Sequence, residues 1–176
     1  MVLLACFGDP GLDALREVAG RPVISLIDAS CAQAGAGGRR FSIVTGGALW
    51  GPMLREMLAA RGLSGQLASI RTVAPTGGAI ARDPEGSAAL LAQTCRLCAS
   101  EDGAQAVILG GAGLIGLAER IQPHVSVPVL CSNMSGFEAA ALGLADIAQP
   151  TRASREAVET TGLSAELAKL FGRTGA

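Results

Sequence analysis

Residues 104–121 read AQAVILGGAGLIGLAERI. An apolar run over 105–110 passes through Gly110, Gly111, Ala112 and Gly113 into an amphipathic stretch over 114–122, which predicts a strand, a tight turn and a helix. Gly111, Gly113 and Gly116 also stand in the G-x-G-x-x-G order that cradles a dinucleotide pyrophosphate between a strand and a helix. That use requires an acidic residue about 20 positions on, at the end of the next strand, to hold the ribose. Positions 131 to 133 are Cys131, Ser132 and Asn133, and the next acid is Glu138, inside the following predicted helix. The unit is also the fifth predicted strand and not the first, so a nicotinamide-dependent oxidoreductase is the weaker reading.

A second unit of the same kind opens the chain. The strand 2–6, VLLAC, runs into FGDPG, where Asp9 is expected to cap a helix over 10–19 and Pro10 to occupy its first turn. Cys6 would then sit beside a helix N-terminus. The helix dipole there draws a thiol pKa of about 8.5 toward neutrality, which suits a proton-transfer base. The other reading of Cys6 is a strand cysteine packed as a small hydrophobe.

Working outward, further strands are predicted at 22–27, 41–45, 67–73 and 127–131, with helices at 28–35, 49–61, 86–100, 135–144 and 163–171, the last capped by Ser164. Strands alternating with helices read as an α/β fold with parallel sheet. Most of the strands are apolar at successive positions, as expected where helices cover both faces. The stretch AGAGGRR at 34–40 is a candidate lobe boundary. The expected segments are 1–38, 39–132 and 133–176. VAPTGGAIARDPEGS at 73–87 reads as an irregular wall of a site.

Composition narrows the function. The 176 residues carry 49% apolar and 16% charged side chains, the profile of a well-buried chain and not a disordered one. A formal net charge of -1, with only four Phe and one Trp, lacks the basic surface and stacking platforms of nucleic-acid binding. No apolar run approaches the ~18 residues of a membrane span, and the opening residues do not read as a signal peptide, which predicts no membrane partner and a cytoplasmic chain. Five cysteines are then expected to be free thiols. Cys95 and Cys98 form a C-x-x-C without a second pair, so no metal site is expected. Cys31 reads as packing, and His124 lies at the far end of its strand from any site. Trp50 and Met53 are assigned by helical periodicity to packing more than to a pocket.

The blocks ACFGDPGLDALRE, PVISLIDAS, FSIVTGGALWGPML, AVILGGAGLIGLAERIQ, VPVLC and TGLSAELAKLFG, in that order, resemble the aspartate/glutamate/hydantoin racemase superfamily over nearly the whole chain. They look most like hydantoin racemases. The resemblance implies two pseudosymmetric parallel-sheet lobes facing each other, with 1–38 a partial first lobe, 39–132 the second and 133–176 a segment returning to the first, no cofactor, a small carboxylate or hydantoin substrate and a homo-oligomer. It also implies one cysteine from each lobe on opposite faces of the reacting carbon. Cys6 matches the first cysteine. Gly8, Thr45, Gly46, Gly47 and the turn Gly110 to Gly113 would contact substrate at the carboxyl ends of the strands.

The family's Gly-Cys-Ala-Gly turn reads Gly110-Gly111-Ala112-Gly113 here, so Gly111 stands where the second thiol is expected. A single base exchanges a proton on one face but cannot invert a centre. Cys131, at the end of the next strand, is either a substitute thiol or a packing residue. A single-cysteine enzyme resembling arylmalonate decarboxylases, or an inactive member of the family, are the alternatives to a racemase. The family's opening Asn-Pro-Asn strand has no counterpart before Cys6, so the first lobe reads as truncated at its N-terminus.

Overall fold

All six apolar runs form strands, and every pairing among them is parallel. The computed structural model describes residues 1–143 together with Gly162, Ser164 and Glu166. In chain order the elements are β1 (Val2–Leu4), α1 (Leu12–Val18), β2 (Val23–Ser25), α2 (Leu26–Ala34), β3 (Phe41–Gly46), α3 (Trp50–Ala60), β4 (Leu67–Val73), α4 (Gly77–Arg82), α5 (Pro84–Ser100), β5 (Ala106–Leu109), α6 (Leu117–Ile121), β6 (Val129–Cys131) and α7 (Ser132–Ala141). Most of the helix expected at 163–171 lies outside the described residues, as does most of the segment 133–176.

β1 and β2 form a two-stranded sheet, and the other four strands run in the order β4-β3-β5-β6. β3 is buried at all six positions, and alternation along it feeds two cores. Phe41 and Ile43, with Ala106 and Ile108 of β5, pack under Leu26, Ile27 and Cys31 of α2 and Leu54 and Leu58 of α3. Val44, with Val107 and Leu109 of β5, packs under Leu91, Cys95 and Cys98 of α5 and Leu117 and Ile121 of α6. This is the two-sided cover that successive apolar residues require. α7 packs against α2, β1 and β2, joining the smaller sheet to the larger.

Caps fix several helix starts. Ser25 accepts from the Asp28 amide at α2, Thr76 from the Ala79 amide at α4 and Asp83 from the Gly86 amide at α5, with Pro84 in the first turn of α5. The opening unit departs from expectation. β1 ends at Leu4, leaving Cys6 in a turn, and α1 begins at Leu12 behind Gly11 in the left-handed conformation, not at Pro10. Asp9 caps nothing because its carboxylate is drawn into contacts with β2 and α3. The helix start expected beside Cys6 is therefore displaced, since the seven-residue α1 starts six positions beyond it. α7 starts at Ser132 and not at 135, because β6 ends at Cys131, level with Leu109 of β5.

The chain enters the larger sheet at β3, adds β4 on one side and then returns to place β5 on the other. The strand order reverses there. In open α/β sheets such a reversal leaves a crevice beyond the carboxyl ends of the two diverging strands, here Thr45 and Gly46 of β3 and the residues after Leu109. Leu58 is fully buried between α3 and the sheet, whereas Met53 on the same helix is half exposed. Urea unfolding should show Leu58→Ala losing roughly 2–5 kcal/mol, against a change within about 0.5 kcal/mol for Met53→Ala.

Candidate functional site

At that reversal lies a cleft of about 310 Å³. One wall is the turn after β1, with Cys6 and Phe7; the floor is Thr45 and Gly46 from β3; Trp50 of α3 closes one side. Gly111, Ala112, Gly113 and Leu114 after β5 face Thr76, Gly77 and Gly78 at the start of α4. The segment 73–87 therefore supplies a wall, as expected, but as a capped helical turn. Cys6 is the one titratable side chain among these lining residues.

Glycine lets the walls meet. A Cβ at Gly113 would stand 2.6 Å from the Gly77 carbonyl oxygen, one at Gly46 2.5 Å from the Pro75 carbonyl oxygen, and one at Gly110 2.3 Å from the Phe7 ring. No side chain fits at those distances, so the backbone itself forms the cleft surface. Gly111 differs. Its Cβ would find 3.3 Å to Leu114 Cδ1 and 3.8 Å to Thr45 Oγ1, but its φ of +139° is a conformation that glycine adopts at little cost.

The turn is held from behind. The Gly111 N–H donates to Ser132 Oγ at 3.2 Å and Asn133 Nδ2 donates to the Ala112 carbonyl at 3.2 Å, both from the start of α7. The Gly110 N–H donates to the Val44 carbonyl at 3.0 Å. Of the four turn amides expected to hold an oxyanion, Gly110 and Gly111 are thus already engaged. Those of Ala112 and Gly113 have no partner among the described residues.

Six of the residues singled out by sequence meet at the cleft: Cys6, Thr45, Gly46, Gly111, Ala112 and Gly113. Gly8 supports it from outside, its Cα so close to Trp50 that a Cβ would stand 2.4 Å from the ring. Gly47 turns the chain out of β3 with φ +95°, and Gly110 packs on Phe7. Cys131 is not brought to the cleft: it is buried in the core with α5 and α6, and it lines a separate cavity of about 220 Å³ with Gln33, Met134 and Glu138. Trp50, assigned to packing, is a lining residue. Thr76, Leu114, Ser132 and Asn133 were not singled out, and nothing local in the sequence marks them.

Burial pushes the Cys31 and Cys95 thiols up to about 12 and raises Cys98 as well, which leaves them inert near neutrality. Among the described residues no cluster of three or more His, Cys, Asp or Glu could hold a metal ion.

The Cys6 turn rests on a charged network. The Asp9 amide donates to the Cys6 carbonyl at 3.1 Å, and Asp9 itself, at φ +45°, is the one non-glycine residue with positive φ among the described residues. Its side chain is 2% exposed. Oδ2 accepts from Ser25 Oγ at 2.6 Å and from Arg61 at 2.7 Å, while Oδ1 has no partner among the described residues. Arg61 also reaches Asp28 at 2.7 Å, and Asp28 takes Arg16 at 2.9 Å. Loss of water outweighs these contacts, and the Asp9 carboxyl is pushed up to about 6, with Ser25 and Arg61 opposing the rise.

Three comparisons bear on this arrangement. A family model described as Asp/Glu/Hydantoin racemase matches residues 1–140. A hydantoin racemase of Rhizobium meliloti is 35% identical over 128 residues, 73% of this chain and 53% of that protein. One from Paenarthrobacter aurescens is 36% identical over 130 residues, 73% of this chain and 54% of the relative. The chain spans about half the length of the curated relatives it matches. Among solved structures, an allantoin racemase from Klebsiella pneumoniae superposes with a TM-score of 0.75 at 30% identity, covering 96% of this chain and 69% of that one.

Two outcomes follow from the geometry. Gly113→Ala forces the two cleft walls apart and should cost roughly 1–3 kcal/mol, whereas Gly65→Ala, with open space around its Cβ, should be nearly neutral in the same melt. For Asp9, a folded pKa of about 6 above the ordinary 3.8 means that its contribution to stability is fully present below 3.8 and is lost as the pH rises through 6. Between pH 4 and 7 the unfolding free energy of the parent should fall relative to Asp9→Asn by roughly 2–3 kcal/mol. Equal pH profiles for the two proteins would remove that assignment.

Proposed function

The chain belongs to the Asp/Glu/hydantoin racemase family, and from that premise we propose that it moves a proton at a carbon next to a carbonyl of a small cyclic amide, with Cys6 as its single working thiol. The carrying observation is the cleft itself, where Cys6 is the one titratable side chain among the described lining residues and shares the lining with Thr45, Thr76, Ala112 and Gly113. Removing a proton beside a carbonyl builds negative charge on the oxygen. The free amides of Ala112 and Gly113 and the hydroxyls of Thr45 and Thr76 are the donors available to it. Cys6 takes the proton as thiolate and returns it as thiol.

The lining favours a neutral ring. A zwitterionic amino acid would bring an ammonium and a carboxylate into a cleft that has no charged lining group among the described residues, at a cost of several kcal/mol. A hydantoin-like ring carries no such charge at neutrality, and Trp50, Phe7 and Leu114 offer apolar surface to its substituent. The hydantoin racemases named above fit this preference.

With glycine at position 111 and Cys131 turned into the core, no second thiol serves the opposite face. Proton exchange is accordingly one-sided: the hydrogen is replaced and the configuration kept. The thiolate and its conjugate thiol suffice for that cycle, so no cofactor enters the reaction. In this reading residues 1–38 and 133–176 make one lobe and 39–132 the other, and self-association supplies further surface. Five free thiols among the described residues suit a reducing, cytoplasmic setting. No helix among the described residues is long and apolar enough to cross a membrane.

Incubation of single enantiomers of a 5-substituted hydantoin, aspartate and glutamate in D₂O, followed by proton NMR and chiral chromatography, tests the proposal. Deuterium should enter the hydantoin with retention and at least ~100-fold faster than the amino acids. Cys6→Ser should abolish the exchange, a loss of about 10²-fold or more, and Cys131→Ser should leave it unchanged. Inverted product would mean a second acid at the cleft. Absence of wash-in on all three substrates would defeat the assignment.

A further inference from the structure

We propose that Asp9 is a positioning residue for Cys6, its buried carboxylate holding the turn on which the thiol is carried, so that the site answers to the ionisation of a group outside the cleft. The inference rests on the function proposed for Cys6 and extends it to the control of that residue. Its grounds are geometric. Asp9 does not line the cleft, yet its amide bonds the Cys6 carbonyl, and its backbone sits in a left-handed conformation that costs a non-glycine residue of order 1 kcal/mol.

Side-chain contacts maintain that conformation. Ser25, at the end of β2, and Arg61, just past α3, both close on the same carboxylate oxygen. The charged groups facing Asp9 come from three helical elements: Arg61 beyond α3, Asp28 on α2 and Arg16 on α1, with the Cys31 thiol on α2 held neutral. A turn of four residues is thereby fixed directly to two separate parts of the fold, the end of β2 and the end of α3, and through Arg61 to Asp28 of α2. On the other side of the network is a cavity of about 370 Å³ lined by Arg16, Asp28, Arg61 and Gln66.

The consequence follows from what the carboxylate does in each state. Ionised, it holds Arg61 by a charge-assisted bond and accepts the Ser25 hydroxyl. Protonated, it loses the charge that holds Arg61, and the strained turn relaxes toward ordinary backbone geometry. Burial places that change near pH 6, so the ordered Cys6 turn belongs to neutral pH and the relaxed one to mildly acidic pH. Stability runs the other way, because the ionised form costs more to bury. A group that served packing alone would not make the reactive turn firmer as the fold weakens.

The test uses the whole chain labelled with ¹³C-cysteine, with the Cys6 signal assigned from Cys6→Ser. In the parent protein the Cys6 resonance should move with a midpoint near pH 6, and in Asp9→Asn that step should be gone. Ser25→Ala retains Asp9 but removes one of its hydrogen bonds, so it should raise the midpoint by about one pH unit; this variant serves if Asp9→Asn fails to fold. In D₂O exchange on the hydantoin, the ratio of kcat in the parent to kcat in Asp9→Asn should rise roughly three- to tenfold from pH 5 to 7, with the ratio of KM values level. A flat Cys6 resonance in the parent, a step that survives in Asp9→Asn, or an unmoved midpoint in Ser25→Ala overturns the proposal. If no protein exchanges the substrate while the step behaves as described, the proton-transfer reading fails and the hold of Asp9 on Cys6 stands.

Discussion

β3 carries the rest of the molecule. All six of its residues are buried, so helices must cover both faces of the sheet, and alternate residues must feed two different cores. A strand enclosed in this way lies at the middle of its sheet, with β4 and β5 as neighbours. The chain reaches them in opposite directions, and because α3 covers one face of the sheet while α5 and α6 cover the other, the connections after β3 and β5 diverge from the carboxyl ends. The cleft occupies the gap that this divergence leaves. Its position is therefore set by the burial of Phe41, Ile43 and Val44 before any residue that could do chemistry is considered.

The gap is narrow because glycine stands wherever its walls come close. Gly46, Gly110 and Gly113 each allow a carbonyl or an aromatic ring to approach a Cα nearer than a side chain would permit. Among the described residues the result is a lining of amides, two hydroxyls and apolar groups, with a single thiol and no formal charge. Electrostatic work in such a site falls to fixed backbone dipoles, which need little reorganisation as charge develops on a substrate oxygen. Charge is concentrated instead behind the Cys6 turn, in the Asp9, Asp28, Arg61 and Arg16 network. That network adds little net stability by itself, because removing its groups from water offsets much of their attraction. Its effect is to determine the geometry of one short turn.

Much of this was legible along the chain. Apolar runs located every strand end to within two residues, and the ends of 41–45, 105–110 and 2–6 pointed to Thr45, Gly111 and Cys6. Helix starts were legible to within two residues at α3 and α5, expected at 49 and 86 and found at Trp50 and Pro84. They were not legible at Asp9, whose Asp-Pro context has the appearance of a cap. Ser25 and Arg61, 16 and 52 positions away, compete for that carboxylate and win. Trp50 was equally obscure, since helical periodicity separates buried from exposed faces without distinguishing a core from a pocket wall.

By itself, the sequence determined the class of the fold, the identity and order of its strands and the turns that end at the cleft, because those features depend on runs of neighbouring residues and on glycine's freedom of backbone. Tertiary structure decided which way the ends of those runs face. Cys131 lies level with Leu109 in register and so joins the core under α5 and α6; along a strand, alternate side chains point to opposite faces. It also decided that Ser132 and Asn133 brace the Gly111 turn and that Asp9 braces Cys6. Contacts between elements distant in sequence leave no periodic trace in the chain, and they form only when parallel pairing brings those elements together.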